Sequence, residues 1–263
     1  MAAQSAPVGY LLHLADNALV LGQRNAEWCA NGPVLEEDIA MANISLDLIG
    51  QARLLYQHAA AVLGDGVTED RLAYFRGPEA FRNFALLELP HHGPSQQAAA
   101  EGRDYATTIV RNFLYSAFAL LRWDALEASA DPQLAAIAGR SVKEVRYHLR
   151  HARDWLVRMG DGTAESHARA QAALDHLLPY TAEFWSVGAD EAAGIADGSA
   201  VDTGLLRAAW EQAVGDALAE ATLQRPDVGA PILARPQGRP TKHLRELLAE
   251  MQSLARAHPE ALW

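Results

Sequence analysis

Apolar residues recur every three to four positions along most of this chain, and that spacing predicts helices almost from end to end. The first long helix covers residues 10–30 and ends at Asn31-Gly32-Pro33. Asn and Gly tolerate a left-handed backbone, and the proline ring cannot continue a helix. The second long helix, residues 36–63, is apolar around much of its circumference, so we expect it at the centre of the fold.

Two further long helices follow a break in the pattern. Residues 65–93 predict only short helices, at 69–74 and 78–87, before a Pro-His-His-Gly-Pro sequence interrupts the helical spacing. The third long helix covers residues 95–130. The fourth runs to residue 159 and begins at Asp131-Pro132, an N-cap followed by proline at the first helical position. Four helices of roughly 20 to 35 residues are typical of long four-helix bundles.

The remaining third of the chain predicts shorter helices added to this bundle. Helical spacing covers residues 164–185, 202–223 and 241–257, whereas 188–198 predicts a loop with one turn and the proline-rich 225–240 an extended excursion. Because no linker separates two cores, we predict a single all-α domain spanning 1–263. Its core is a ferritin-like long four-helix bundle over about 10–160, and additional C-terminal helices occupy about 164–258.

Composition narrows the class of protein. The net charge of −11 argues against a nucleic-acid partner, which would require clustered Lys and Arg. Cys29 is the only cysteine, so no intrachain disulfide is possible, and we expect it to be buried. No apolar stretch is long enough to cross a membrane, and the N-terminus lacks a signal-peptide pattern. These features predict a cytoplasmic protein without a membrane partner.

The long bundle suggests one kind of chemistry to test. Di-iron bundles use a Glu from each of two helices and Glu-x-x-His from each of the other two, because carboxylates and imidazoles suit iron. Here Asp16 lies on the first predicted helix, and Asp47 lies 31 residues later on the second. Glu144 lies on the fourth. The layout of a di-iron site is therefore present.

Most of the expected ligands are missing from that layout. Gly50 stands three positions after Asp47, Tyr147 stands three after Glu144, and His148 is one residue late, about 100° around a helix. By analogy with the spacing of Asp16 and Asp47, the third helix should carry an acid roughly 31 to 34 residues before Glu144. Arg111 stands in that window instead, and the nearest acids, Asp104 and Asp124, lie outside it. We therefore predict no catalytic and no metal-binding residues and leave any cofactor-binding residues unassigned. The vestigial di-iron positions are Asp16, Asp47, Gly50, Glu144 and Tyr147, with His148 adjacent.

Simpler interpretations of these residues remain open. The three acids also fit ordinary ion pairs between helices, and we expect them to face inward beside basic or hydroxyl groups, with Arg53, Arg111 and Arg150 on the same helices. The loop pair His91-His92 could bind a metal, but exposed histidine pairs in loops are more often without such a role.

Several segments together resemble a known family. They are residues 14–29, 42–53, 131–138, 143–150, 206–211 and 243–254. At these positions the chain is similar to the structural C subunit of the bacterial phenylacetyl-CoA 1,2-epoxidase, the ring-oxygenating complex of phenylacetate breakdown. The similarity runs nearly end to end, and residues 65–94 and 225–240 match less well.

This resemblance implies a ferritin-like fold and a non-catalytic role in a multicomponent monooxygenase. It implies no cofactor in this chain, and as partners a catalytic di-iron subunit, further small subunits and a reductase. Two alternatives stay open. One is a divergent ferritin-like oxidase with a rearranged site of its own at Asp16, Asp47, Glu144 and His148. The other is a free-standing ferritin-like scaffold or storage protein, which would form homo-oligomers.

Overall fold

The computed structural model describes residues 4–93, 102–227, 232–233 and 240–261, and every regular element within them is helical. The predicted all-α class is therefore confirmed. The α-helices are α1 (Val8–Ala26), α2 (Leu35–Leu63), α3 (Glu69–Tyr74), α4 (Ala85–Glu88), α5 (Tyr105–Leu126), α6 (Pro132–Gly160), α7 (Ala164–Leu177), α8 (Ala189–Asp197), α9 (Arg207–Glu220), α10 (Lys242–Met251) and α11 (Ser253–Ala257). Short 3₁₀ helices cover Pro78–Ala80, Leu178–Trp185 and Thr203–Leu206.

The four long helices α1, α2, α5 and α6 form the bundle, in which α1 packs on α2, α5 on α6, and α2 on α6. Helices α1 and α5 run antiparallel. Near one end the side-chain amides of Asn25 and Asn112 exchange two hydrogen bonds, of 3.0 and 3.1 Å. Towards the other end, Arg122 of α5 lies 3.4 Å from the His13 ring.

The relative direction of α2 and α6 shows how the four helices of the bundle are connected. Helices α2 and α6 are also antiparallel, because Asp47 pairs with His148 while Gln51, one turn later, pairs with Glu144, one turn earlier. Helix α1 runs antiparallel both to α2, its hairpin partner, and to α5. Helices α2 and α5 therefore run in the same direction, and residues 64–104 form the long crossover that joins them. One long crossover in a four-helix bundle is the connectivity of ferritin-like folds, as the sequence predicted.

Asp131 holds the start of α6 in place, as its N-cap position predicted. One carboxylate oxygen accepts hydrogen bonds from the backbone N–H groups of Gln133 and Leu134, at 2.9 and 3.1 Å. The other oxygen accepts from the Ala6 N–H at 2.8 Å and contacts His58 Nε2 at 2.6 Å. These contacts cap α6 and also tie it to the N-terminal segment and to α2.

The C-terminal helices bind the crossover. The Gln252 amide donates to the carbonyl oxygens of Ala73 and Arg76, at 3.0 and 3.1 Å, and Arg256 donates to the Tyr74 and Arg76 carbonyls. Helix α9 is anchored separately, because the buried Trp210 indole donates to the Leu114 carbonyl of α5 at 3.1 Å. The accessory helices therefore pack directly on the bundle and its crossover.

Several predicted boundaries need correction. Helix α8 (Ala189–Asp197) occupies most of the predicted loop at 188–198, and the predicted helix at 164–185 changes to 3₁₀ geometry where Pro179 lacks the N–H that an α-helix requires. Helix α5 begins at Tyr105, because Asp104 caps it by accepting from the Ala106 N–H. The proposed start at residues 95–101, and most of the 225–240 excursion, lie outside the described residues.

The predicted helix at 78–87 is interrupted by α1. Phe81 and Phe84 have extended backbones, and the Arg82 and Phe84 N–H groups donate to the side chains of Asp16 and Asn17, at 2.7 and 2.8 Å. These bonds replace the intrahelical bonds that the local pattern predicted. Cys29 is exposed, so its expected burial was wrong. Among the described helices, none has the length and apolarity needed to cross a membrane.

Candidate functional site

Asp16 is fully buried in α1, where its carboxylate is surrounded by hydrogen-bond donors. Arg76 donates from both of its terminal nitrogens, Nη2 to Oδ1 and, at 3.2 Å, Nη1 to Oδ2. The Tyr56 hydroxyl donates to Oδ1 at 2.5 Å, and the Arg82 backbone N–H donates to Oδ2 at 2.7 Å. The Asp16 carboxylate is thus held in a bidentate, charge-assisted pair.

The guanidinium N–H groups of Arg76 also find further hydrogen-bond acceptors. Arg76 donates to the carbonyls of Leu72 and Ala80, at 2.5 and 2.8 Å, and its guanidinium lies 4.4 Å from the centre of the Phe81 ring. Burial acts to lower the pKa of Arg76, but the Asp16 charge and hydrogen bonds outweigh it and raise that pKa. Burial, followed by the Asp16 charge, raises the pKa of Tyr56 well above its usual value. Arg76 therefore stays charged, with a neutral tyrosine beside it.

The other two acids lie on the seam between α2 and α6, and their hydrogen bonds do not connect them to Asp16. His148 is buried, and its Nε2 lies 3.0 Å from Asp47 Oδ2. The Gln51 amide donates to Glu144 at 2.9 Å, and Arg140 Nε donates to the same carboxylate at 3.1 Å. The Asp47 side chain is 38% exposed and that of Glu144 18%, so both lie at the edge of the bundle rather than in its centre.

Gly50 and Tyr147, the two residues at the vacated histidine positions, face away from this seam. Tyr147 is 39% exposed, and a Cβ added at Gly50 would have no neighbour within 4 Å. The seam instead uses the fourth residue after each acid, Gln51 and His148. At 3.6 residues per turn, the third and fourth positions lie on either side of the acid's own direction, and only helix packing decides which one faces inward.

A small cavity of about 10 Å³, at most the size of one water molecule, lies between the long helices. It is lined by Leu21, Ile44, Leu48, Gln51, Asn112, Tyr115, Ser116, Ala119, Trp123, Val145 and His148. Within the part of the chain that the structure describes, no three His, Cys, Asp or Glu side chains are grouped so as to hold a metal. These residues do not fit a di-iron centre.

Among the described residues, no carboxylate forms an ion pair with Arg111, contrary to the sequence expectation. It is fully buried, and it donates to the Leu89 carbonyl at 2.5 Å and to His91 Nδ1 at 3.0 Å. Burial, and then the nearby Arg24 charge, lower the pKa of Arg111 to about 9. The other two arginines also differ from expectation, since Arg53 lies 3.7 Å from Glu69 and the Arg150 guanidinium lies over the Tyr147 ring.

His91 is a buried anchor that sequence reasoning missed. Its Nε2 lies 2.7 Å from the Arg24 carbonyl and must donate to it, so Nδ1 is the acceptor for Arg111 and for the Trp28 indole, the latter at 3.1 Å. Burial, followed by the Arg111 charge, lowers the pKa of His91 well below its usual value, so the ring is neutral. The available signal was the apolar run at residues 84–89, which carries His91 into the core.

Comparison with known proteins shows what the chain is similar to. Over residues 1–263 the chain matches the family described as "Phenylacetic acid catabolic protein". It is also 42% identical over 254 residues to a protein of Escherichia coli (strain K12), the C subunit of 1,2-phenylacetyl-CoA epoxidase. That alignment covers 97% of this chain and 98% of the relative.

The substitution Asp16→Asn should destabilise the fold strongly. It leaves the largely buried Arg76 guanidinium without its anion, and breaking a buried pair in this way typically costs about 3–5 kcal/mol. The matched change Asp47→Asn, at the partly exposed seam, should cost about 1 kcal/mol or less. Urea denaturation at pH 7 measures both. Equal losses for the two variants would show that the Asp16 pair has no special structural role.

The buried neutral His91 should make stability depend on pH. Because its folded pKa lies below the unfolded value of about 6.5, the unfolded chain binds a proton that the folded chain excludes, and stability falls as pH drops below about 6.5. Between pH 6.5 and 5.5 the wild type should lose about 1 kcal/mol more than His91→Gln. Urea titrations at pH 7.5, 6.5 and 5.5 test this. Parallel pH profiles for the two proteins would mean that folded His91 accepts the proton.

Proposed function

The chain belongs to the phenylacetic acid catabolic protein family, and we propose that it is the structural, non-catalytic subunit of a multicomponent di-iron monooxygenase. That enzyme epoxidises the aromatic ring of phenylacetyl-CoA in aerobic phenylacetate catabolism. The relative in Escherichia coli is named as a subunit of such an epoxidase and is similar over nearly the whole of both chains. In this proposal, the iron and the reacting atoms belong to a partner chain.

The non-catalytic role is supported by the contacts of the residues at the di-iron positions, which bind other protein groups. The Asp16 carboxylate is fully engaged by Arg76, Tyr56 and the Arg82 backbone, so it has no free oxygen lone pair directed at a metal. The cavity beside the seam, lined in part by Gln51 and His148, holds about one water, too little for two iron ions with their oxygen ligands. A bundle built in this way keeps its shape without metal, so its function lies at its surface.

We propose the catalytic di-iron subunit as the direct partner, with further small subunits and a reductase in the same complex. The long helices are the expected contact, through an interface above the roughly 1,000 Å² of a stable association. The reductase would deliver electrons to the partner, where O₂ and phenylacetyl-CoA react. A cytoplasmic location fits this assignment, because CoA thioesters and reductases are available there.

The divergent-oxidase alternative has less support. It requires Asp16 to act together with Asp47, Glu144 and His148, but the hydrogen bonds divide these residues into two separate groups. Each seam acid is already paired with a neighbour across α2 and α6. The storage-protein alternative requires homo-oligomers, whereas the relative's name describes a subunit of an enzyme complex.

The purified chain should hold well under one iron per molecule, even from cells supplied with excess iron. The reason is that Asp16 is neutralised by Arg76 and that Gly50 and Tyr147 offer no inward-facing ligand. Elemental analysis after gel filtration measures the content. Two retained irons per chain would contradict the assignment. The variant Arg76→Met frees the Asp16 carboxylate. Iron retained by this variant would mean that Arg76 blocks a metal site, and no retained iron would mean that the bundle forms no such site.

Co-expression with the catalytic subunit should give a stable complex and ring-oxygenating activity. Alone, this chain should not turn over phenylacetyl-CoA with reductase and O₂, because among its described residues no three His, Cys, Asp or Glu side chains are grouped to hold a metal that would activate O₂. The partner alone should be unstable or much less active. Co-purification followed by product analysis tests both halves. The assignment fails if the chains do not associate, or if the partner is equally stable and active without this one.

A further inference from the structure

The outer side of α6 concentrates positive charge in a chain whose net charge is −11. Residues 139–153 contain five Lys or Arg residues and a single acid, Glu144. Lys143, Arg146 and Arg150 are exposed and are spaced by three and four positions, which places them along one side of the helix. This segment therefore differs in sign from the chain as a whole.

These three cations lack carboxylate partners among the described residues. The neighbouring Arg140 and Arg153 are neutralised by Glu144 and Glu220, but no ion pair is formed by Lys143, Arg146 or Arg150. Arg150 instead makes a cation–π contact, in which its guanidinium lies 5.6 Å from the centre of the exposed Tyr147 ring. A row of uncompensated like charges is unfavourable in the isolated chain and is relieved by an acidic surface.

An apolar stripe lies beside this row, on α2. Leu35, Ile39 and Leu46 are 69%, 54% and 66% exposed and follow one another at helical spacing. Gly50 continues the stripe and leaves open space above the helix. Because α2 and α6 pack together through the Asp47–His148 seam, the apolar stripe and the basic row form one surface. We call the three cations, the three apolar residues and Tyr147 the basic–apolar face.

We propose that the basic–apolar face docks an acidic helical surface with an apolar centre on the catalytic subunit, an inference that rests on the proposed function. The stripe from Leu35 to Leu46 is about 17 Å long and the row from Lys143 to Arg150 about 10 Å, so a protein surface can cover both and a small anion cannot. Nucleic acid would use the cations but leave the leucines and isoleucine exposed.

The two halves of the face have different roles. Exposed cations act over a distance and are screened by salt, so they accelerate encounter with an acidic partner mainly at low ionic strength. The apolar residues act only on contact, and they slow dissociation at any salt concentration. Charge sets which partner is met and how fast, and apolar contact sets how long the complex lasts.

The test is association kinetics between the full chain and the purified catalytic subunit at 50 and 300 mM NaCl. The triple variant Lys143→Glu/Arg146→Glu/Arg150→Glu should associate about tenfold or more slowly at low salt and lose most of its salt dependence. The control Arg207→Glu/Arg225→Glu/Arg245→Glu has the same change in net charge on exposed residues elsewhere and should stay within about twofold of wild type. The double variant Ile39→Asp/Leu46→Asp should dissociate about tenfold faster at both salt concentrations. Circular dichroism establishes that each variant is folded.

The outcomes separate the two proposals. If wild type binds the catalytic subunit and the triple variant binds it equally fast, this face is not the docking surface, and the proposed function stands. If the control slows as much as the triple variant, net charge rather than this face controls binding, and the inference fails. If wild type does not bind the subunit at all, the proposed function fails first. Binding of a 20-base-pair DNA duplex by wild type, lost in the triple variant, would identify a nucleic-acid surface instead.

Discussion

The buried ion pair between Asp16 and Arg76 is the interaction on which the arrangement of the crossover depends. The carboxylate draws the Arg82 backbone onto α1, which interrupts the helix that the local sequence favours at 78–87. Gln252 and Arg256 then bind the carbonyls that this segment presents, so the C-terminal helices pack where the pair has placed the crossover. Desolvating two charges is costly, and such a pair is tolerated because every donor and acceptor around it is used.

The same pair also occupies the Asp16 carboxylate, which a di-iron centre at this position would need as a ligand. In a di-iron bundle the metal holds facing helices together by drawing inward-facing carboxylates to one point. Here that work is divided among protein contacts: the Asp16–Arg76 pair joins α1 to the crossover, the Asn25–Asn112 amides join α1 to α5, and Asp47–His148 joins α2 to α6. Each contact is local and directional, so together they fix the register of the four helices.

The proposed structural role is exercised at the surface of the long helices. The exposed leucines of α2 and the unpaired cations of α6 lie on two helices that pack against each other through the Asp47–His148 seam. Apolar residues at such spacing are usually covered by another chain. The long helices therefore combine two properties that a structural subunit requires, rigidity from the buried polar anchors and an uncovered face.

Helical spacing by itself determined the four long helices, the Asp131 cap and the break in the pattern at 65–93, and family resemblance added the function. Only the tertiary structure decided that Arg76, 60 residues away, neutralises Asp16, that Gly50 and Tyr147 face outward, and that His91 is buried beside Arg111. Periodicity is a property of residues close in the chain, so it reports which positions share a helix face. The partner of a buried charge, and the side of a helix that faces inward, depend on contacts between distant segments, which come together only when the chain folds.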